Sequence, residues 1–509
     1  MQKAFENSKL ILLFGICLAI FLRLLGITTR YIWYDEAFSI LLSEKGTSAI
    51  MIGTLAQGNG AAAAEEHPPL YYYVLNDWLK IFGNSVPAAR MLSIIAGIGV
   101  VLSIYFLGQI LFDKRTAIIA LLVSAINPFQ IHFSQEIRMY VFMALWLMLA
   151  TYSFLRGKKS GKWTWWLSFA IFSALAQYTH NLSAFYLVAL AMAPVFQRDW
   201  KTVKQVFCGG IAALILYLPW LIHVPNQIAK IQQAYWIEKP MPGRFFTLLL
   251  EYVSNPTLSF MWIAFALFSA CLVFAIGLLQ TIRAFQSNKA DFQKGIFLFY
   301  LASMPPILLF IFSQWFPVYL ERALLASGCI FCLWLAWAFT RTQVPNPIRI
   351  IVISLLLIST AGGIYQHLTN STGVYAPFDK MDASLKDRYQ KGDVIVHSNK
   401  LSFLPAFYYD PTLPQTFISD LPGSSTDTLA QATQKITGIR AEPNLVSATN
   451  GASRVWFIIF TRSIEEFISA GAKTHPQLQY LELTYNLVSH ETWGGAEVFL
   501  FSRKPLAGR

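Results

Sequence analysis

The sequence predicts a polytopic α-helical membrane protein of about eleven spans, followed by a small soluble α/β domain. Three observations carry this. Of 509 residues, 55% are hydrophobic, 15% aromatic and 13% charged, and that charge density is about half the roughly 25% usual for soluble domains. Apolar runs near the roughly 20 residues needed to cross about 30 Å of hydrocarbon recur from the N-terminus to about residue 366. Beyond about residue 370 short apolar runs alternate with polar ones, as in a soluble domain.

Hydropathy places spans near residues 9–27, 87–112, 116–133, 140–157, 163–179, 182–197, 205–223, 257–283, 295–314, 323–340 and 348–366, with ends set to within about four residues. The first run is read as a span rather than a signal peptide, because it is long, lacks a small-residue cleavage site and is followed by further spans. The expected domains are residues 1–369 in the membrane and 370–509 outside it. Cys17, Cys208, Cys271, Cys329 and Cys332 all fall in apolar runs, which indicates packing rather than a disulfide framework or a thiolate metal cluster.

The formal net charge of +12 is topological rather than a nucleic-acid signal. Lys and Arg cluster at residues 113–115, 156–159, 198–204, 283–294 and 341–349. With the N-terminus inside, all five clusters fall on the cytoplasmic face. The segments 28–86, 224–255 and 314–321, the turns near Gln135 and His180, and the tail are then extracytoplasmic. The expected location is a multi-pass cell membrane protein.

Within the first external loop, Leu70, Tyr71, Val74, Leu75, Trp78, Leu79 and Phe82 recur at helical spacing, with Asn76, Asp77 and Lys80 opposite. This predicts an amphipathic helix at the membrane interface. A shorter helix through Phe38, Leu41 and Leu42 is expected after Asp35, with a small-residue linker at 58–64 between the two. In the tail, residues 393–397 and 454–460 read as strands and 464–472 as a helix. The chain carries no nucleotide-binding glycine pattern and no internal repeat.

Asp35 and Glu36 follow the first span among the aromatics Tyr31, Trp33 and Tyr34. They can reach a lipid head group, or Asp35 can cap the next helix with Glu36 in its first turn. Glu136, in Ser134-Gln135-Glu136-Ile137-Arg138-Met139-Tyr140, precedes the fourth span. It either serves a site or favours the helix N-terminus, with Arg138 as an interfacial anchor. Two acidic sites at the outer ends of different segments can converge on one groove, and Asp35 and Glu136 are expected to do so. His180 ends a helix and either contacts a ligand or is simply hydrogen bonded. Tyr235 and Trp236 offer stacking faces beside the groove or belong to an aromatic belt. Arg23, inside the first run, is expected to snorkel outward.

Four motifs together resemble a known family. The aromatic stretch leading into Asp35-Glu36-Ala37-Phe38-Ser39, then Glu66-His67-Pro68-Pro69-Leu70-Tyr71-Tyr72, the Glu136 segment through Tyr140, and Tyr178-Thr179-His180 are similar to those of bacterial family 39-type glycosyltransferases. These are relatives of dolichyl-phosphate-mannose protein mannosyltransferases and of the lipid A aminoarabinose transferase. The resemblance runs over roughly residues 10–340.

It implies a GT-C fold and inverting transfer of a sugar from a polyprenyl-phosphate donor to a lipid, glycan or protein acceptor, with membrane lipids as surroundings and no nucleic-acid partner. On this pattern Asp35 matches the catalytic acidic residue, the general base, with Glu36 in support. Glu136 matches the second acidic motif, which orients the acceptor or holds a divalent metal. Glu66 falls where a relative has a glutamate near a bound metal. His67 stands where that relative has a lysine near the lipid phosphate, and because an unperturbed His titrates near about pH 6.5, constant positive charge is not carried over. Arg138, Tyr140 and His180 fall in the substrate-binding motifs. Arg322, after Val318-Tyr319-Leu320-Glu321, resembles a late arginine-tyrosine motif in altered order. Its guanidinium suits phosphate, or it pairs with Glu321 or snorkels.

Two other classes share parts of this composition. A lipid flippase or transporter would have many spans and a basic inner face, but is expected to carry mid-membrane ionisable residues and repeated broken helices. A receptor would use the tail to bind an external ligand.

Overall fold

The computed structural model describes residues 8–55, 67–233, 236–254, 259–370, 373–421, 424, 426 and 429–504. The linker at 58–64, Glu66 and Tyr235 lie outside the described residues. The chain divides into two compact units, Met1–Ile27 with His67–Val74 and Pro87–Leu368, and Thr28–Glu66 with Leu75–Val86 and Thr369–Arg509.

The first unit is helical, and every predicted span is met by a helix. Val86–Leu111, Tyr140–Ser160, Trp200–Leu221, Phe260–Ser287, Lys289–Phe312, Glu321–Arg341 and Asn346–Thr369 are long and apolar enough to cross a membrane unaided. Ser8–Leu24 and Trp163–Thr179 have 17 residues each and Ser183–Phe196 has 14. The most apolar stretch of Glu321–Arg341 is 89% buried and that of Asn346–Thr369 only 22%. The former is therefore a central helix, whereas the latter turns apolar side chains outward, as lipid solvation permits. All five cysteines are free; Cys329 and Cys332 are buried, whereas Cys17, Cys208 and Cys271 are exposed. Those three are thus not packing residues, because each lies on an outward helix face.

Residues 116–133 are not one straight span. Helices Lys114–Ile126 and Pro128–Ser134 meet at a 62° bend. Asn127 makes the break: its side chain accepts from Gln130 N at 3.0 Å while donating to the Tyr252 carbonyl at 2.7 Å. Pro128, at the first helical position, lacks the donor that would continue the first helix. Broken backbone at membrane depth needs substitute partners, and Arg23 supplies them. Its guanidinium is fully buried and donates to the carbonyls of Ala125 at 3.1 Å, Ser124 at 3.4 Å and Ala19 at 3.3 Å, and to Ser134 Oγ at 3.2 Å. Arg23 therefore does not snorkel, because the open helix end is the better acceptor. Gly97 leaves room for this contact, since a Cβ there would overlap Ser134 Oγ. Gln135 ends the short helix and donates to the carbonyls of Arg23 at 2.8 Å and Leu25 at 2.7 Å.

The second unit holds a six-stranded sheet of β1 (Val394–His397), β2 (Gln415–Ile418), β3 (Ala441–Glu442), β4 (Arg454–Phe460), β5 (Tyr485–Trp493) and β6 (Ala496–Arg503), in the order β3-β2-β1-β4-β6-β5. The first four pair in parallel, and β6 runs antiparallel to both β4 and β5. Strand β4 is buried on both faces, Val455, Phe457 and Ile459 on one and Trp456, Ile458 and Phe460 on the other, as its unbroken apolar run requires. The predicted helix at 464–472 begins earlier and spans Thr461–Ser469. Helix Tyr34–Glu44 packs on Lys400–Tyr409.

The interfacial helix forms over Leu70–Phe82 with a different face inward. Tyr71, Tyr72, Leu75, Asn76 and Leu79 are buried, while Ile81 and Phe82 are exposed. Asn76, expected on the polar side, faces inward because its side chain donates to the Ser43 carbonyl, a bond that offsets its desolvation.

Candidate active site

Six predicted site residues lie in the first unit. His67 leads into Pro68-Pro69 and the helix Leu70–Phe82. Glu136 and Arg138 lie in the short turn between Pro128–Ser134 and Tyr140–Ser160, and Tyr140 opens the latter helix. His180 ends Trp163–Thr179, and Arg322 lies in a 3-10 turn, Glu321–Leu324.

The rings of His67 and His180 lie 4.4 Å apart, and those of His180 and Tyr140 5.6 Å. The Arg322 guanidinium stands 5.1 Å from the Tyr140 ring centre and 5.7 Å from that of Trp236. Arg138 donates to the Tyr72 hydroxyl at 3.0 Å. Glu136, Arg138, Tyr140 and His180 are buried, and His67 and Arg322 are half-buried. Glu321 pairs with Arg244 at 3.0 Å, and Arg322 turns to the aromatic rings.

Burial, then Arg138 and Arg322, hold the His67 imidazole well below its ordinary range. His180 is lowered by burial first and then by His67 and the same two arginines. Both imidazoles are neutral at pH 7, so the fixed positive charge resides on the guanidiniums. His180 Nδ1 accepts from Leu182 N at 3.1 Å, which puts the proton of the neutral ring on Nε2. That Nε2 is buried with no hydrogen-bond partner among the described residues. The cluster therefore holds two guanidiniums and the His180 Nε2–H, groups of the kind that bind an anion with several oxygens.

Asp35 and Glu36 belong to the second unit. Trp33 occupies the N-cap position of Tyr34–Glu44 and makes no side-chain cap bond, so both carboxylates fall in the first turn. The capping role for Asp35 is thereby replaced by an interaction with the helix dipole. Glu36 is fully buried and Asp35 half-buried. Ser39 Oγ donates to the Asp35 carbonyl at 2.8 Å, and Trp33 lies 6.5 Å from the Tyr375 ring.

Among the described residues no group of three or more His, Cys, Asp or Glu side chains is placed to hold a metal ion, and Glu66 lies outside them.

Sequence reasoning named Tyr72 only as the end of a motif, without a role, and did not find the pair His132 and His367. The two histidines approach Nδ1 to Nδ1 at 3.1 Å, and His367 Nε2 meets Gln135 Oε1 at 2.7 Å. The two partners are 235 positions apart in the chain, so no local pattern carries them.

The fold and this cluster define a polytopic membrane protein with the fold shared by GT-C membrane glycosyltransferases. Residues 66–223 match the model of the dolichyl-phosphate-mannose-protein mannosyltransferase family. The chain is similar to ArnT from Cupriavidus metallidurans, solved bound to undecaprenyl phosphate, with a TM-score of 0.63, 11% identity, and coverage of 96% of this chain and 97% of that one. It is also similar to the Archaeoglobus fulgidus oligosaccharyltransferase in its apo form, with a TM-score of 0.57, 13% identity, and coverage of 98% and 75%. The same enzyme in complex with Zn and sulfate gives 0.52, 13%, 97% and 73%. No curated protein sequence matches the chain.

Proposed function

We propose that the protein transfers a sugar, with inversion, from a polyprenyl-phosphate carrier to a lipid, glycan or protein acceptor on the extracytoplasmic side of the cell membrane. The observation that carries this is the grouping of Arg138, Arg322, His67 and His180 in one partly buried cluster.

The donor is a phosphodiester with one negative charge. When the bond between the anomeric carbon and the phosphate oxygen breaks, the released polyprenyl phosphate gains a second charge. Two guanidiniums and the His180 Nε2–H therefore bind the leaving group more tightly as the reaction proceeds, which is the condition for lowering the barrier. The acceptor oxygen attacks the opposite face of the anomeric carbon, and its proton passes to a base. Asp35 enters this proposal as that base from the sequence resemblance, with Glu36 beside it and Glu136 orienting the acceptor. The undecaprenyl phosphate bound to ArnT supports a polyprenyl carrier.

The test supplies purified protein in lipid nanodiscs with several polyprenyl-phosphate sugars and a membrane extract as acceptor source, with and without chelator, and reads products by mass spectrometry. The expected result is free polyprenyl phosphate with a new glycosidic bond. Movement of labelled lipid-linked sugar across proteoliposomes without any new bond would identify a flippase and overturn the proposal.

A further inference from the structure

A second polar group lies next to Arg322 along the chain. Helix Arg244–Glu251 runs beside the turn Glu321–Leu324 and is fixed to it at both ends. Arg244 Nη1 meets Glu321 Oε1 at 3.0 Å, and the Tyr252 hydroxyl donates to the Leu324 carbonyl at 3.5 Å. Glu251 is two helical turns after Arg244 and so shares its face.

Its Oε2 is buried and has no hydrogen-bond partner among the described residues. The Tyr319 hydroxyl is in the same condition on a side chain only 2% exposed, and the charges of Glu321 and Glu251 both act on it. Burial, then Glu321, push the Glu251 carboxyl well above the usual range, and Arg244 opposes the shift. A protonated carboxyl both donates and accepts. Buried polar groups without partners are costly, and a ligand that supplied the missing bonds would offset that cost for both.

Tyr319, Glu321 and Arg322 lie within four consecutive residues, so a hydroxyl, a carboxyl and a guanidinium follow one another along the chain. A sugar carried on a phosphate has the same layout, with ring hydroxyls a bond or two from the phosphate oxygens. We infer that Glu251 and Tyr319, with Glu321, bind the hydroxyls of the carried sugar and set which sugar is accepted. This rests on reading the Arg138–Arg322 cluster as the phosphate site.

The experiment compares binding of polyprenol, polyprenyl phosphate, a polyprenyl-phosphate hexose and a polyprenyl-phosphate pentose to the full chain in nanodiscs. The wild type is expected to bind at least one sugar-bearing carrier more tightly than bare polyprenyl phosphate. Glu251→Ala should weaken that carrier by about tenfold while leaving bare polyprenyl phosphate unchanged. Tyr319→Phe removes only an oxygen, preserves packing and should act in the same direction, so it decides the matter if Glu251→Ala fails to fold. Arg322→Ala should weaken both ligands. A wild-type sugar preference retained in both Glu251→Ala and Tyr319→Phe, or no sugar preference in the wild type, would overturn the assignment of Glu251. Equal binding of polyprenol and polyprenyl phosphate would instead overturn the phosphate site.

Discussion

Arg23→Met removes the group that closes the broken span, and its cost can be worked from the partners left behind. The Ala19 carbonyl keeps its place in the first helix, Ser124 O still accepts from Asn127 N at 3.4 Å, and Ser134 Oγ still donates to the Gln130 carbonyl at 2.5 Å. The Ala125 carbonyl loses its strongest donor, and Ser124 keeps only a long bond. A buried polar group without a partner costs about 1–3 kcal/mol. Methionine fills most of the volume, and losing a buried cation returns part of the cost, so the net destabilisation should be about 2 kcal/mol. Thermal unfolding in nanodiscs reads it, and polyprenyl phosphate binding should fall as well, because the Arg23 guanidinium donates to Ser134 Oγ just before Glu136 and Arg138. Gly97→Ala crowds the same contact from another helix and should act in the same direction. If Arg23→Met unfolds at the wild-type temperature and binds normally, the account of the bend is wrong.

Two further predictions concern the second unit. Burial, followed by Asp410 and Asp379, pushes the Asp382 carboxyl from 3.8 up to about 9, and both its oxygens are buried without partners among the described residues. The folded state thus keeps a proton that the unfolded state releases near pH 4. This contribution to stability is complete below about pH 4 and is lost as pH rises toward about 9, at up to about 1.4 kcal/mol per unit. Asp382→Asn should flatten that slope in chemical denaturation between pH 5 and 8, and an unaltered slope would contradict it. Asp35→Asn should lower turnover by about 10²–10⁴-fold with carrier binding and protein abundance unchanged, and full turnover would remove Asp35 from the mechanism.

The spans were legible because lipid-solvated helices carry their signal in length and composition, independent of partners. The break at Asn127 was written in the Asn127-Pro128 pair, a turn signal masked by apolar residues on both sides. The misreadings share one cause. Arg23 and Asn76 look like surface residues when judged by position in their own helix, whereas carbonyls from other segments decide their burial. His67, Arg138, Tyr140 and His180 were found because each belongs to a short local motif. Glu251 was missed because it sits in no such motif, and Tyr319 because it stood only as the lead-in to Arg322.

Polyprenyl phosphate binding, compared with polyprenol, in the wild type, Arg138→Ala, Arg322→Ala and the double variant tests the anion pocket most directly. Each arginine should contribute about 1.5–3 kcal/mol, or about 10- to 150-fold in affinity, and added salt should weaken the wild type more than the double variant. If the wild type shows no preference for the phosphate, or the double variant keeps it, the cluster is not a phosphate site.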